Sequence, residues 1–186
     1  MQFQKSLMTA ALLTVGTLTA VSANAASPAT SSFKVNLTIT SACIVDATAS
    51  GKDLNFGSVA AGTPFATVTK ATNAAAISIS CSLGAPYVVN LTPTNIGTTG
   101  TGAGNMKHTT LADTVGYQLT KTASGNDNWG NGGTVSAGVA TPGNGVSGVG
   151  VGLATKVDFP VFAQLTTTTD VRPGDYSDTV NVSVVY

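Results

Sequence analysis

Phe33, Val35, Leu37 and Ile39 alternate without a break against Lys34, Asn36, Thr38 and Thr40. That period of two predicts a strand with one apolar and one polar face. A second alternation runs to the end of the sequence, where Val180, Val182, Val184 and Tyr186 interleave with Asn181, Ser183 and Val185. The pattern is still running at Tyr186, so the segment 176–186 is expected to present a sheet edge with no following strand to cover it. The strand at 33–39 is the candidate cover, either for its own domain or for a neighbouring molecule.

Between these two segments the chain reads as short strands and turns. Residues 54–59 predict a short strand ending in the Ala60-Ala61-Gly62-Thr63-Pro64 turn. Residues 76–83 alternate through Ile77, Ile79, Cys81 and Leu83 before Gly84-Ala85-Pro86 turns the chain into 87–91. A Gly/Thr loop is expected over 93–108, a strand over 115–119, and a turn cluster at 126–133 around the only Trp. A Gly-rich hairpin or loop follows at 142–152, then a strand over 157–165. No helical period occurs after residue 25, and the fold class this predicts is an all-β sandwich.

The first 25 residues carry a different pattern. Lys5 supplies a positive charge, residues 7–21 are apolar but diluted by Thr and Gly, and Ala23-Asn24-Ala25 has the small-x-small spacing of a cleavage site. This predicts a secretion signal, since the apolar part is too short and interrupted for a spanning helix. Residues 26–32, small and polar, then form a tether for the strand at 33–39. The expected organisation is a signal at 1–25, an N-terminal strand segment at 26–40 and one domain at 41–186, in an exported, soluble protein.

Composition narrows the function. Only 9% of the chain is charged, and all eight acidic residues are Asp. Without Lys5 there remain 8 − 1 = 7 basic residues against 8 acidic ones, a balance that attracts neither nucleic acid nor an anionic membrane. The two cysteines, Cys43 and Cys81, read by default as a disulfide in an exported chain, with a free pair as the alternative. Closing that loop of about 39 residues restricts the unfolded chain by about 4 kcal/mol.

The sharper chemistry does not assemble. Gly143-x-Gly145-x-x-Gly148 spells a dinucleotide fingerprint, but it follows Thr-Pro rather than a buried strand and opens no helix. His108 is the only His, with no Gly-x-Ser-x-Gly elbow in the chain, so a catalytic or zinc role lacks its partners. Asn126-Asp127-Asn128 lacks the Glu that closes a calcium loop and reads as a turn. Trp129 and Tyr117 could line a sugar site, with core packing as the plainer role. Asn36, Asn90 and Asn181 head glycosylation sequons expected by chance in a chain so rich in Asn and Thr. Catalytic residues, metal ligands and cofactor are each expected to be none.

The block Pro173-Gly174-Asp175-Tyr176-Ser177-Asp178-Thr179-Val180, running to Val184-Val185-Tyr186, resembles the C-terminal signature of spore coat protein U domains, which include pilins of archaic chaperone–usher pili. Leu54-Asn55-Phe56-Gly57, Cys81 at the end of an alternating strand, Tyr117-Gln118-Leu119, Trp129-Gly130 and Val161-Phe162-Ala163-Gln164-Leu165 agree in order. The resemblance covers essentially the whole chain after the signal. It implies an incomplete immunoglobulin-like β-sandwich, filled first by a periplasmic chaperone and then, at an outer-membrane usher, by the N-terminal strand of the next subunit. Phe33, Val35, Leu37 and Ile39 would be the donor strand; Tyr176, Val180, Val182, Val184 and Tyr186 would form a wall of the acceptor groove. The expected role is a non-enzymatic pilin in a head-to-tail polymer of itself or related pilins, a cell-surface fimbrium for adhesion and biofilm formation. One domain with an evident donor fits a shaft or adaptor subunit. The alternative is a monomeric secreted β-sandwich that binds carbohydrate or coats a surface.

Overall fold

The computed structural model describes residues 30–48, 51–73 and 75–186. The expected signal at 1–25 and the start of the tether lie outside the described residues. The chain divides between Thr38 and Ile39, and the second unit, Ile39–Tyr186, contains the strands.

The domain is an all-β, immunoglobulin-like sandwich of short strands; its one helical element among the described residues is a 3-10 turn at Phe65–Thr67. One sheet has the order β1–β3–β10, from Cys43–Asp46, Ile77–Cys81 and Val157–Phe159. A second joins β12 (Tyr176–Ser177), β5 (Ala103–His108), β6 (Thr114–Thr120), β11 (Phe162–Leu165) and β2 (Ala71–Thr72), in that order. A third has β4 (Pro86–Pro93) between β13 (Val180–Val185) and β9 (Val146–Val149). The hairpin β7–β8, Thr134–Ser136 with Val139–Thr141, forms a small fourth sheet. All the ladders are antiparallel.

The alternating residues of these strands make one core. Ile77 and Ile79 of β3, Val89 and Leu91 of β4, Val115 and Leu119 of β6, and Ala163 and Leu165 of β11 are all buried in it. Trp129 is enclosed there too, its indole N–H donating to Val89 O at 3.1 Å. That bond lets a large amphipathic ring enter the core without an unpaired donor. Among the described residues, no buried side-chain nitrogen or oxygen lacks a hydrogen-bond partner.

Two tyrosines use glycine in the same way. Tyr117 lies directly across the ladder from Gly104, and Tyr87 directly across from Gly148. A Cβ on Gly104 would meet the Tyr117 ring at 2.5 Å, and one on Gly148 would meet the Tyr87 ring at 2.4 Å. The rings therefore lie flat over glycine backbone, a device that lets a bulky ring cover a bare strand. Gly148 of the 143–148 glycine spacing serves this packing.

The sequence pattern and the ladders differ at several points. The expected loop at 93–108 ends in β5, and the Gly-rich segment contains β9. Both are Gly-bearing strands that alternation alone does not reveal. The expected strand over 157–165 is two strands, β10 and β11, separated at Pro160, which has no N–H for a ladder. The expected strand at 176–186 is also two, broken at Asp178–Thr179, with β12 and β13 in different sheets. Residues 54–59 form no ladder, although the burial of Leu54 and Phe56 alternates with exposure of Asn55 and Gly57.

Residues 30–42 form no strand either. A strand has no hydrogen bonds of its own; it exists only when a neighbour takes up its N–H and C=O groups. The alternation at 33–39 is therefore a strand pattern without a ladder.

Candidate functional site

The Cys43–Cys81 disulfide is formed, with an S–S distance of 2.01 Å, between residues directly opposite in the β1–β3 ladder. Beside it, Ser82 N–H donates to Ala42 O and Ala42 N–H donates to Ser82 Oγ, both at 2.9 Å. These bonds fix the point at which the N-terminal segment leaves the domain. Upstream of it, Phe33, Val35, Leu37 and Ile39 are 82–89% exposed. Four large apolar side chains at such exposure forgo about 1.5–3 kcal/mol each of attainable burial.

At the other end of the sequence, β13 is an edge. It pairs with β4 over six residues, from Val180↔Pro93 to Val185↔Val88, and among the described residues no strand pairs with its other side. Its Val180, Val182 and Val184 are half-buried against the core, whereas Asn181 and Ser183 face solvent. β1 is an edge too, with Ile44 and Val45 exposed; it lies close to β13 with no ladder between them. The domain thus exposes two unpaired backbone rows beside a half-covered apolar fringe, an arrangement that accepts a further strand.

The same fringe includes Leu54, Phe56, Met106 and Tyr176. Together with Val115 and Val171 these residues line a cleft of about 370 Å³ between the segment 54–61 and the chain leading into β12. Tyr176 stands on β12 rather than with Val180–Val184 on β13, so the expected single wall of Tyr176, Val180, Val182, Val184 and Tyr186 is divided between two sheets. Tyr186, beyond the last ladder pair, is exposed. Leu54, Phe56, Met106 and Val171 were not among the residues expected at the groove. The alternation at Leu54 and Phe56 was the available signal.

An Asp178 carboxylate holds the break between β12 and β13. It accepts the Asn95 side-chain amide and the Tyr117 phenol, both at 2.8 Å, the Asn95 N–H at 3.1 Å, and its neighbour Thr179 N–H. Burial first, and then this carboxylate, push the Tyr117 phenol far above its usual range. Burial likewise raises Tyr87. Nearby, Arg172 forks onto Asp113 through Nε to Oδ2 at 2.6 Å and Nη2 to Oδ1 at 3.0 Å. That contact holds the Asp113 carboxyl below its usual range.

The residues of the sharper chemistry have ordinary structural surroundings. His108 ends β5 with its ring edge-on to Tyr176, centroids 5.1 Å apart, and its Nδ1 accepts the N–H groups of Thr110 and Leu111. Asp127 belongs to a turn, accepting the Lys121 N–H at its carbonyl and pairing its carboxylate with the Lys121 ammonium at 3.4 Å. Trp129 and Tyr117 are buried in the core. Asn90 is buried in a reciprocal pair with the Gly133 backbone. Among the described residues, no three His, Cys, Asp or Glu side chains gather as a metal site, and no helix is long and apolar enough to cross a membrane.

A family model, the Spore Coat Protein U domain, matches residues 29–183. Among solved structures, the chain is similar to the chaperone–tip adhesion subunit pre-assembly complex from archaic chaperone–usher Csu pili of Acinetobacter baumannii. The TM-score is 0.50 and the identity 24%, over 80% of this chain and 41% of that one. The chain thus spans less than half the length of the structure it matches. No match was found among curated proteins.

Proposed function

From the premise that this chain belongs to the spore coat protein U domain family, we propose that it is a structural pilin subunit that polymerises by donor-strand exchange. Residues 33–39 are the donor and β13 is the edge that receives it, in the next copy of this chain or in a related pilin. Val180, Val182 and Val184 form one wall of the groove, with Tyr176 at its far end beside the 370 Å³ cleft. Leu54 and Phe56 line that cleft with Tyr176.

The observation that carries this reading is the match between two deficits. The donor has four apolar anchors at 82–89% exposure and no ladder; the edge has a free backbone row and a half-covered apolar fringe. Burying four anchors contributes about 6–12 kcal/mol before ordering costs. Each added ladder hydrogen bond contributes about 1 kcal/mol more. A link of that size holds subunits together without a covalent bond or a nucleotide, and repeated head to tail it gives an open polymer.

An exposed groove requires a temporary occupant before assembly. The reading therefore includes a periplasmic chaperone, an outer-membrane usher, export behind the signal at 1–25, and display as a cell-surface fimbrium serving adhesion and biofilm formation. It is a scaffold role and not an enzymatic one. The monomeric alternative needs residues 33–39 in the domain's own sheet, and their exposure favours donation.

Deleting residues 31–40 tests the assignment. The groove survives and the donor is lost, so the variant is expected to co-purify with its chaperone and to form no fibres. Fibres from that variant would assign the donor to another segment.

A further inference from the structure

One apolar patch has no part in the groove. Leu83 is 83% exposed, and Val149, Val151 and Leu153 are exposed around it. The backbone brings them together: Gly84 N–H donates to Gly150 O at 2.8 Å, Gly150 N–H to Ala85 O at 2.7 Å, and Gly152 N–H to Cys81 O at 3.0 Å. Leu83 stands at the tip of a turn closed by Ala85 N–H to Ser82 O. Gly84 supplies the turn's positive φ of 75°. A loop tip carrying Leu rather than a polar residue, beside three more exposed aliphatic side chains, marks a contact surface rather than scattered surface residues.

Its position identifies the occupant. The patch begins two residues from Cys81, on the turn whose Ser82 is bonded to Ala42. From Cys43 back to Ile39, the last donor anchor, is four residues, a reach of at most about 14 Å. Once Ile39 is seated in a neighbour's groove, that neighbour's surface is held within this short distance of the Leu83 turn. We propose that Leu83, Val149, Val151 and Leu153 form a second subunit–subunit contact, docking against the copy of this chain that receives the donor strand. This rests on the donor-strand reading above and adds to it a contact that sets the angle between successive subunits. Without that contact, residues 40–42 are a hinge; with it, the fibre has a preferred bend.

Hydroxyl-radical footprinting of assembled wild-type fibres, read by mass spectrometry, tests the contact against an internal reference. Val139, on the β7–β8 hairpin, is 64% exposed, so in an uncovered subunit Leu83 is oxidised at least as fast as Val139. In fibres, Leu83 is expected to be oxidised several-fold more slowly than Val139, and the Leu83→Asn, Val151→Asn double variant is expected to form fibres with a wider spread of bend angles. Fibres in which Leu83 and Val139 react alike would overturn the contact while leaving strand donation intact. Loss of retention on polystyrene in the double variant, with Leu83 as reactive as Val139 in wild-type fibres, would assign the patch to a foreign surface and overturn it too. Failure of the wild-type chain to polymerise at all would instead remove the donor-strand reading, and this contact with it.

Discussion

Residues 33–39 and β13 carry the same binary pattern, yet one is a ladder strand and the other is not. β13 pairs over six residues with β4, and its apolar side chains are half-buried. Residues 33–39 have four apolar anchors, three of them larger than Val, and pair with none of the described strands. The difference lies upstream and downstream of the pattern. β13 is delivered to β4 by the Asp178 carboxylate, which ties its first turn to Asn95 and Tyr117. At the root of the N-terminal segment, Ala42 is bonded to Ser82, and these bonds assign residues 33–39 no ladder partner. Alternation fixes which face of a strand is apolar; side-chain clasps and turn geometry fix which strand it joins.

The comparison breaks most sharply at Leu37. Leu37→Asp puts a carboxylate into the proposed groove, at a desolvation cost of several kcal/mol without a partner. Against about 6–12 kcal/mol for all four anchors, that is enough to stop subunit linkage. Asn36→Asp, on the opposite face, is expected to assemble normally, since neighbours on a strand point to opposite sides. Fibres counted by electron microscopy, with secretion measured in parallel, check both. Equal assembly of the two variants would remove residues 33–39 from the donor role.

The root of the segment comes next. Replacing both Cys43 and Cys81 by Ser opens a loop with a sequence separation of 38 and is expected to cost about 4 kcal/mol. It also releases the segment's anchorage beside Ser82. Subunit yield in the periplasm should fall steeply, with residual material sensitive to protease. An undiminished yield would mean that the β1–β3 ladder holds the root without the covalent bond.

Much of this was legible in the residues, and the remainder has identifiable causes. The all-β class, the disulfide, Ile77 to Cys81 as a strand and the alternation of Val180, Val182 and Val184 all follow from period and residue type. β5 and β9 were hidden because Gly104 and Gly148 interrupt the apolar pattern, and they do so to make room for Tyr117 and Tyr87 across the ladder. The separation of Tyr176 from β13 was hidden because Asp178 reads as an ordinary polar position in an alternating run, while its partners Asn95 and Tyr117 are distant in sequence. Leu54 and Phe56 alternated visibly, but alternation does not say that a ladder is missing. The Leu83 turn read as a strand end, because a pattern counts Leu as apolar wherever it points.

The Asp178 clasp gives a third, smaller test. Asp178→Ala leaves the buried Tyr117 phenol and the Asn95 amide without their acceptor, at a cost of about 1–3 kcal/mol for a buried unsatisfied group. Tyr117→Phe keeps the three other donors on Asp178 and should cost less. The same tyrosine predicts an alkaline limit. Its proton is held more tightly in the folded than in the unfolded chain, so its contribution is fully present below the ordinary phenol value of 10.0 and is lost as pH rises above it. Tyr87 adds to this in the same direction. Thermal melts of assembled fibres should fall above about pH 10, less steeply in Tyr117→Phe. An unchanged slope in that variant would place the linked proton elsewhere.

The smallest effect is expected at Arg172, and it separates a clasp from a decoration. Arg172 and Asp113 form a two-bond fork just ahead of β12, at distances comparable with the Asp178 contacts. The pair is largely solvated at the arginine, however, with the Arg172 side chain 61% exposed, so screening takes most of its value. Arg172→Lys removes the planar fork while keeping the charge, and melting and assembly at neutral pH should be nearly unchanged. Acid removes even that small contribution. Arg172 holds the Asp113 carboxyl below its ordinary value of 3.8, so its contribution is present above that value and disappears as pH falls through the folded one. Wild type and Arg172→Lys should therefore converge in strongly acidic buffer and differ only slightly above it. A large loss of assembly in Arg172→Lys at neutral pH would show that the approach to β12, rather than the Asp178 carboxylate, delivers β13 to its place beside β4.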